Sequence, residues 1–140
     1  MPALTSRPRV LIADDHEAVA RYVYELLSAQ CDVVGSVRDG RQVLEATASL
    51  RPDVVLLDLS MPHVNGLDLL RQLKRLEPAV KVIIVTMYSD EEVAQEALKS
   101  GAAGFVLKSE IGQELLPALD AIVKGDTYLA GVMRPRPTLP

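Results

Sequence analysis

PDVVLLDLSMP, residues 52–62, decides the fold. Val54, Val55, Leu56 and Leu57 form an unbroken apolar run, the pattern of a strand buried on both faces. Asp58 follows with no break. An ionised carboxylate at the end of such a run is costly unless something compensates its charge. A strand covered on both faces implies helices on either side of a sheet. The aspartate at its end requires a partner.

Outward from this stretch, two patterns alternate. Short apolar, β-branched runs recur at VLIA (10–13), DVVGSV (32–37), VVLL (54–57), VIIV (82–85) and GFVL (104–107). Helical spacing fills the intervals. Val19, Tyr22, Val23, Leu26 and Leu27 make one apolar stripe, with Tyr24 on the exposed side. Leu69, Leu70, Leu73 and Leu76 make another. Val93, Ala94, Ala97 and Leu98 form a third, and Leu115, Leu119, Ile122 and Val123 a fourth. Residues 41–50 make a weaker helix resting on Val43 and Leu44. The punctuation agrees. Ser89-Asp90-Glu91-Glu92 has capping-box spacing, Asn65-Gly66 precedes the Leu stripe, and Gly101 and Gly125 stand where helices end. Five strands alternating with five helices predict an α/β domain, a (βα)5 doubly wound parallel sheet. Right-handed crossovers leave few topologies, and the flavodoxin-like order 2-1-3-4-5 is adopted by analogy. AGVMRPRPTLP, 130–140, has no periodicity and reads as a linker or tail.

Composition narrows the function. A 140-residue chain can bury a real core as one domain. Its formal charge of −4 and lack of a basic run argue against a nucleic-acid module within these residues. The single cysteine, Cys31, excludes an internal disulfide and a paired-thiolate zinc site, and reads as a small apolar strand residue. No apolar stretch approaches the ~18 residues of a membrane helix, and MPALTSRPRV lacks a signal peptide's apolar core. The expectation is a soluble, cytoplasmic domain with no membrane partner.

In open parallel sheets, function gathers at the C-terminal ends of the strands. Here those ends carry Asp14-Asp15, Asp58, Thr86 and Lys108. In the adopted order strands 1 and 3 are neighbours, so three carboxylates converge on one crevice with a hydroxyl and an ammonium beside them. Three like charges must be neutralised or take up protons. Mg²⁺ suits a site of few carboxylates, waters and phosphate oxygens. With Lys108 and a dication the local charge comes to zero, and one carboxylate can attack phosphorus. Lys108 and the metal would then stabilise the phosphoryl oxygens. Taken singly, each residue has a plainer reading: the aspartates as helix caps, Thr86 as a strand residue, Lys108 as a surface lysine, Phe105 as core. Their joint order across four strand ends favours the site.

IADDH, LLDLSMPHVNG, VTMYSDEE and GAAGFVLKS stand in sequence, each at a strand end. Over residues 8–127 the chain resembles the receiver domain of a two-component response regulator, with 1–7 an N-terminal extension and 128–140 a linker or tail. LLDLSMP, VTMY and GDTYL most resemble the NarL/FixJ subfamily, whose members normally carry a C-terminal LuxR-type helix-turn-helix. The resemblance implies that Asp58 accepts a phosphoryl group from a sensor histidine kinase, as a switch rather than an enzyme. It implies Asp15 as a direct Mg²⁺ ligand, Asp14 acting largely through metal-bound water, Asp58 itself, and the Ser60 backbone carbonyl. Lys108 would bind a phosphoryl oxygen. Thr86 would bond another and move toward it, and Phe105 would turn inward with it. Ser60, Met87 and Tyr88 stand where access to the phosphoryl group is tuned. DNA would be reached only through a domain outside this chain; the alternative is a stand-alone receiver or docking module acting by protein–protein contact. A homodimer contact would use the fourth and fifth strand–helix units.

The chain departs from the family pattern at several points. Asn65 replaces a frequent Asp. Met87 stands where a small residue is common, which would narrow access. Ser109 follows Lys108 where Pro in a cis peptide is common. Pro117 falls inside the last helix, where it removes a backbone hydrogen bond and can kink the helix. His16 reads as a first-turn helix residue and His63 as a solvated loop residue. Among other functions, an Asp-nucleophile phosphatase of the haloacid-dehalogenase type would need an Asp where Ser60 stands. A degenerate receiver acting as a docking module would lack acidic positions that are all present. Dinucleotide binding fails for want of a G-x-G-x-x-G after strand 1.

Overall fold

The computed structural model describes residues 7–87 and 89–129. Six strands form one parallel sheet: β1 (Arg9–Ala13), β2 (Asp32–Val37), β3 (Val54–Asp58), β4 (Lys81–Thr86), β5 (Gly104–Leu107) and β6 (Tyr128–Leu129). The spatial order is β2-β1-β3-β4-β5-β6. The expected order 2-1-3-4-5 therefore holds, with a sixth strand added at one edge. That strand lies just past residue 127, in the stretch that the sequence reads as linker or tail. It is set by Gly104 pairing with Tyr128 and Phe105 with Leu129, and by the Tyr128 hydroxyl, which hydrogen-bonds the Glu114 carboxylate. Two residues carry no period to read. The segments 1–6 and 130–140, predicted as extension and tail, lie outside the described residues.

Helices α1 (Glu17–Leu27), α2 (Val43–Leu50), α3 (Gly66–Leu76), α4 (Glu91–Lys99) and α5 (Ile111–Val123) cover the sheet. Strand alternation sends side chains to two separate cores. Val54 and Leu56 join Val10, Ile12, Ile83 and Val106 against α1 and α5. Val55 and Leu57 join Leu11, Ile84 and Phe105 against α2, α3 and α4. All five β3 residues are buried, Asp58 among them. Each fully buried Val or Leu contributes roughly 1.5–3 kcal/mol.

The predicted caps are in place. The Asp90 carboxylate accepts from the Glu92 and Val93 N–H groups, and Asn65 accepts from Asp68 N–H. Gly101 closes α4 with φ +109°, a left-handed conformation that glycine adopts freely. Gly66 opens α3 where an added Cβ would lie 2.5 Å from the Leu59 carbonyl oxygen, so only glycine lets the loop after β3 close this tightly. Pro117 is accommodated inside α5, which runs unbroken from Ile111 to Val123.

Three stripe positions are not core. Tyr22 is 47% exposed; its hydroxyl lies over Gly112, on the flank of α1, while Val23 and Leu27 fill the core. Leu76 and Val123 are exposed in the last turns of their helices. Cys31 is buried just ahead of β2, and burial pushes its thiol pKa up. Among the described residues no helix is long and apolar enough to cross a membrane.

Candidate functional site

The site forms where β1, β3 and β5 end. Ala13 leads into Asp14, whose N–H donates to the Val37 carbonyl at 3.0 Å and which is buried. The Asp14 carboxylate turns back to accept the His16 N–H at 2.8 Å. Asp58 ends β3 at 2% exposure, and its Oδ1 accepts the Ser60 N–H at 2.9 Å. Lys108 begins a 3₁₀ turn, Lys108–Glu110, directly after β5. Its Nζ lies 3.1 Å from Asp58 Oδ2 and 3.1 Å from Asp14 Oδ2. The partner of Asp58 is a buried ammonium shared with a second carboxylate.

Sharing is not full compensation. Asp14, Asp15 and Asp58 present three negative charges to one lysine. Burial is the largest influence on Asp58 and pushes its pKa up. The Ser60 N–H and the Lys108 ammonium pull it down, and the Asp14 charge pushes it up again. Asp15 Oδ1 is buried with no hydrogen-bond partner. Ligand atoms from Asp14, Asp15, His16 and Asp58 all lie within 4.8 Å of one another. A donor set of carboxylates in charge excess, with an orphaned buried oxygen, fits a hard dication.

His16 belongs to this site, contrary to the expectation of an ordinary first-turn residue. It is the N-cap of α1, with extended φ −88° and ψ 104°. Its ring lies over the acids. Its Nδ1 lies 2.9 Å from Lys108 Nζ, 3.3 Å from Asp14 Oδ1 and 3.5 Å from Asp15 Oδ1. The only sequence signal was its position after two aspartates at a helix start.

The remaining candidates distribute around this centre. Thr86 ends β4 and is buried. Phe105 is the register partner of Ile84, and Thr86 lies one pleat repeat beyond Ile84, so Thr86 and Phe105 share a sheet face. Phe105 is fully buried there. Met87, 61% exposed, lines a concavity of about 420 Å³ with His16, Val19, Lys108 and Ser109. Ser60 is exposed, with its N–H on Asp58. Tyr88 lies outside the described residues. All described peptide bonds are trans, that between Lys108 and Ser109 included.

His63 is exposed, as expected, but it is not merely solvated. Its Nδ1 lies 2.9 Å from Asp39 Oδ2, at a left-handed φ of 76°. Asp39 also holds Arg41, whose hydrogen bonds keep the Asp39 carboxyl well below the usual range.

The family model for the response regulator receiver domain matches residues 10–120. The chain belongs to the response regulator receiver family. It is 36% identical over 128 residues to the nitrate/nitrite response regulator protein NarL of Escherichia coli K12, covering 90% of this chain and 59% of that one. It is 37% identical over 124 residues to the oxygen regulatory protein NreC of Staphylococcus epidermidis, covering 86% and 57%. The receiver domain of the putative response regulator NarL from Mycobacterium tuberculosis superposes with a TM-score of 0.80 at 32% identity, covering 86% of this chain and 98% of that one. The non-phosphorylated receiver domain of RcsB from Escherichia coli gives 0.85 at 29% identity, covering 90% and 100%. The chain spans little more than half the length of these curated relatives. As a receiver it is a phosphorylation-dependent signalling domain of the NarL and LuxR type.

Proposed function

We propose that Asp58 is the phosphoacceptor of a switch loaded by a sensor histidine kinase. The observation that carries this reading is the buried Asp58 carboxylate at the end of β3, held 3.1 Å from Lys108 and crowded by Asp14. An Asp58 oxygen attacks phosphorus, the bond from phosphorus to the donor breaks, and an acyl phosphate forms with the electron pair leaving on the donor. Asp15 and Asp58, the Ser60 carbonyl, and Asp14 largely through water would hold Mg²⁺. Bound there, Mg²⁺ supplies Lewis-acid stabilisation of the phosphoryl oxygens. Lys108 exchanges one carboxylate partner for a phosphoryl oxygen. Thr86 bonds another and draws toward it, and Phe105, on the same sheet face, moves with it as the second half of the switch.

The output is a changed surface around β4–α4 and β5–α5, with homodimerisation through those units. Transcriptional control would pass through a DNA-binding domain outside this chain, in the cytoplasm. The domain turns over no independent substrate; Ser60, where a phosphatase of the Asp-nucleophile type needs an acid, offers Asp58 only a backbone N–H. Ser60, Met87 and Tyr88 tune access, and Met87 does so from the wall of the concavity beside Lys108. Met87→Ala should lose its phosphoryl group faster than the unsubstituted chain when decay is followed by intact mass; an unchanged rate would sink this role.

The deciding experiment incubates the protein with Mg²⁺ and acetyl phosphate and takes an intact mass, with Asp58→Asn alongside. One phosphoryl adduct that needs Mg²⁺ and is absent from the variant is the expected result. No adduct from acetyl phosphate or from a phosphorylated histidine kinase would overturn the reading and leave a docking module.

A further inference from the structure

We infer that His16 is a direct nitrogen ligand of the cation site, which makes this receiver select first-row transition dications over Mg²⁺ more strongly than its carboxylates alone would. The inference rests on the reading of Asp14, Asp15 and Asp58 as a dication site. It adds a donor of different chemistry.

The tautomer comes first. An ammonium has three donors and no acceptor. The 2.9 Å contact between Lys108 Nζ and His16 Nδ1 therefore requires Nδ1 to accept, which puts the ring proton on Nε2. The Nδ1 lone pair faces into the cluster, where its other neighbours are the Asp14, Asp15 and Asp58 oxygens at 3.3, 3.5 and 3.9 Å. A lone pair facing three carboxylates is unfavourable unless a cation stands among them. Lys108 supplies that cation here, since one Nζ touches Asp14, Asp58 and His16 together.

An entering dication takes the Nδ1 lone pair in place of the Lys108 donor, which keeps its contacts to Asp14 and Asp58. The spacing permits this. Ligand atoms on opposite sides of a metal lie ~4.2 Å apart, twice a ~2.1 Å bond. The four candidate atoms lie within 4.8 Å of one another, so a contraction of some tenths of an ångström closes the shell. The backbone of His16 is also held. The His16 N–H is bonded to Asp14 Oδ1 at 2.8 Å, which fixes the N-cap turn before α1.

A carboxylate-only site is hard and suits Mg²⁺, whereas imidazole nitrogen favours later first-row ions, with affinity rising from Mn²⁺ to Ni²⁺. Two histidines are present in the chain, His16 and His63. His63→Asn, at a left-handed position that asparagine tolerates, leaves His16 as the sole imidazole. Untagged His63→Asn protein is loaded with Mn²⁺ and examined by pulsed EPR, beside His63→Asn with His16→Asn. Asparagine is itself a good N-cap, so the second variant keeps the start of α1.

The expected result is imidazole nitrogen coupling to Mn²⁺ that disappears with His16→Asn. Calorimetry should show His16→Asn weakening Ni²⁺ by about tenfold or more, while Mg²⁺ changes less than about twofold. Mn²⁺ bound in competition with Mg²⁺ but without nitrogen coupling would overturn the inference and leave the dication site standing. An equal loss for Mg²⁺ and Ni²⁺ would do the same. Failure of any dication to bind, or binding unaffected by Asp15→Asn, would bring down the site itself.

Discussion

Asp53 and Asp58 bracket β3, one at each end. Asp53 is exposed, and its Oδ2 accepts the Arg9 N–H at 2.8 Å. Its own backbone joins three strands, with N–H to the Arg9 carbonyl at 2.8 Å and carbonyl to the Lys81 N–H at 3.0 Å. The residue lies open to solvent. Asp58 is buried, next to a second acid, with one lysine between them. The first aspartate completes the ladder at the entrance to the sheet. The second adds charge that the ladder does not need. A residue that costs the fold free energy in one place, while its counterpart on the same strand is structural, marks where the chemistry lies.

The largest contrast is all-or-none. Asp58→Asn should abolish the phosphoryl adduct, while Asp53→Asn should form it at the unsubstituted rate; intact mass after acetyl phosphate reads both. Loss of the adduct from Asp53→Asn would erase the distinction.

Next in size is the lysine. Lys108→Ala leaves Asp14 and Asp58 buried with no cation between them. Removing one partner of a buried pair costs about 3–5 kcal/mol. Urea unfolding in chelator should show a loss in that range, with Mg²⁺ restoring part of it. A loss below about 1 kcal/mol, typical of exposed pairs, would show the carboxylates to be relieved by solvent.

Much of this contrast could be read from the sequence. β3 is legible because four apolar residues in a row leave no polar face, and Asp58 stands out against them. Lys108 and Thr86 are legible only jointly, since each follows a strand that the same pattern locates. The ring of His16 is not. Nothing in residue order says that this N-cap lays its ring over the acids. The pairing of His63 with Asp39 spans two loops that carry no periodicity. β6 is too short to signal itself and exists through its partner, β5. Tyr22 reads as core because a stripe of five is wider than the face α1 buries, which Val23 and Leu27 fill.

A smaller effect tests the cost of Asp58 directly. Its pKa is raised chiefly by burial, so the native state holds a proton at pH values where the unfolded chain has released it. The stabilisation this gives is complete below the unfolded carboxyl value of ~3.9 and is lost as pH rises through the raised native value. In chelator, Asp58→Asn should therefore unfold at a higher temperature than the unsubstituted chain near neutral pH, at about 2–8 °C per kcal/mol gained. The gap should narrow toward pH 4 and again when Mg²⁺ is added. A gap independent of pH would assign the difference to packing, not charge.

The smallest prediction concerns the other end of the strand. Asp53→Ala removes the acceptor of the Arg9 N–H and adds no charge strain, so it should cost only the net value of one hydrogen bond, roughly 0.5–1.5 kcal/mol. The Arg9 N–H can find water at this exposed end, which keeps the cost toward the lower figure. Because a carboxylate–amide bond is at stake and no ionisable partner, the loss should be nearly the same at pH 6 and pH 8. Asp53→Asn retains an acceptor oxygen and should recover most of it. Neither change should alter Mg²⁺ affinity measured by calorimetry, since Asp53 lies at the opposite end of β3 from Asp58. A shift in Mg²⁺ affinity with Asp53→Ala would mean that β3 transmits a change in its entrance to its exit. The two aspartates would then be coupled, and the strand would be part of the switch and not only its support.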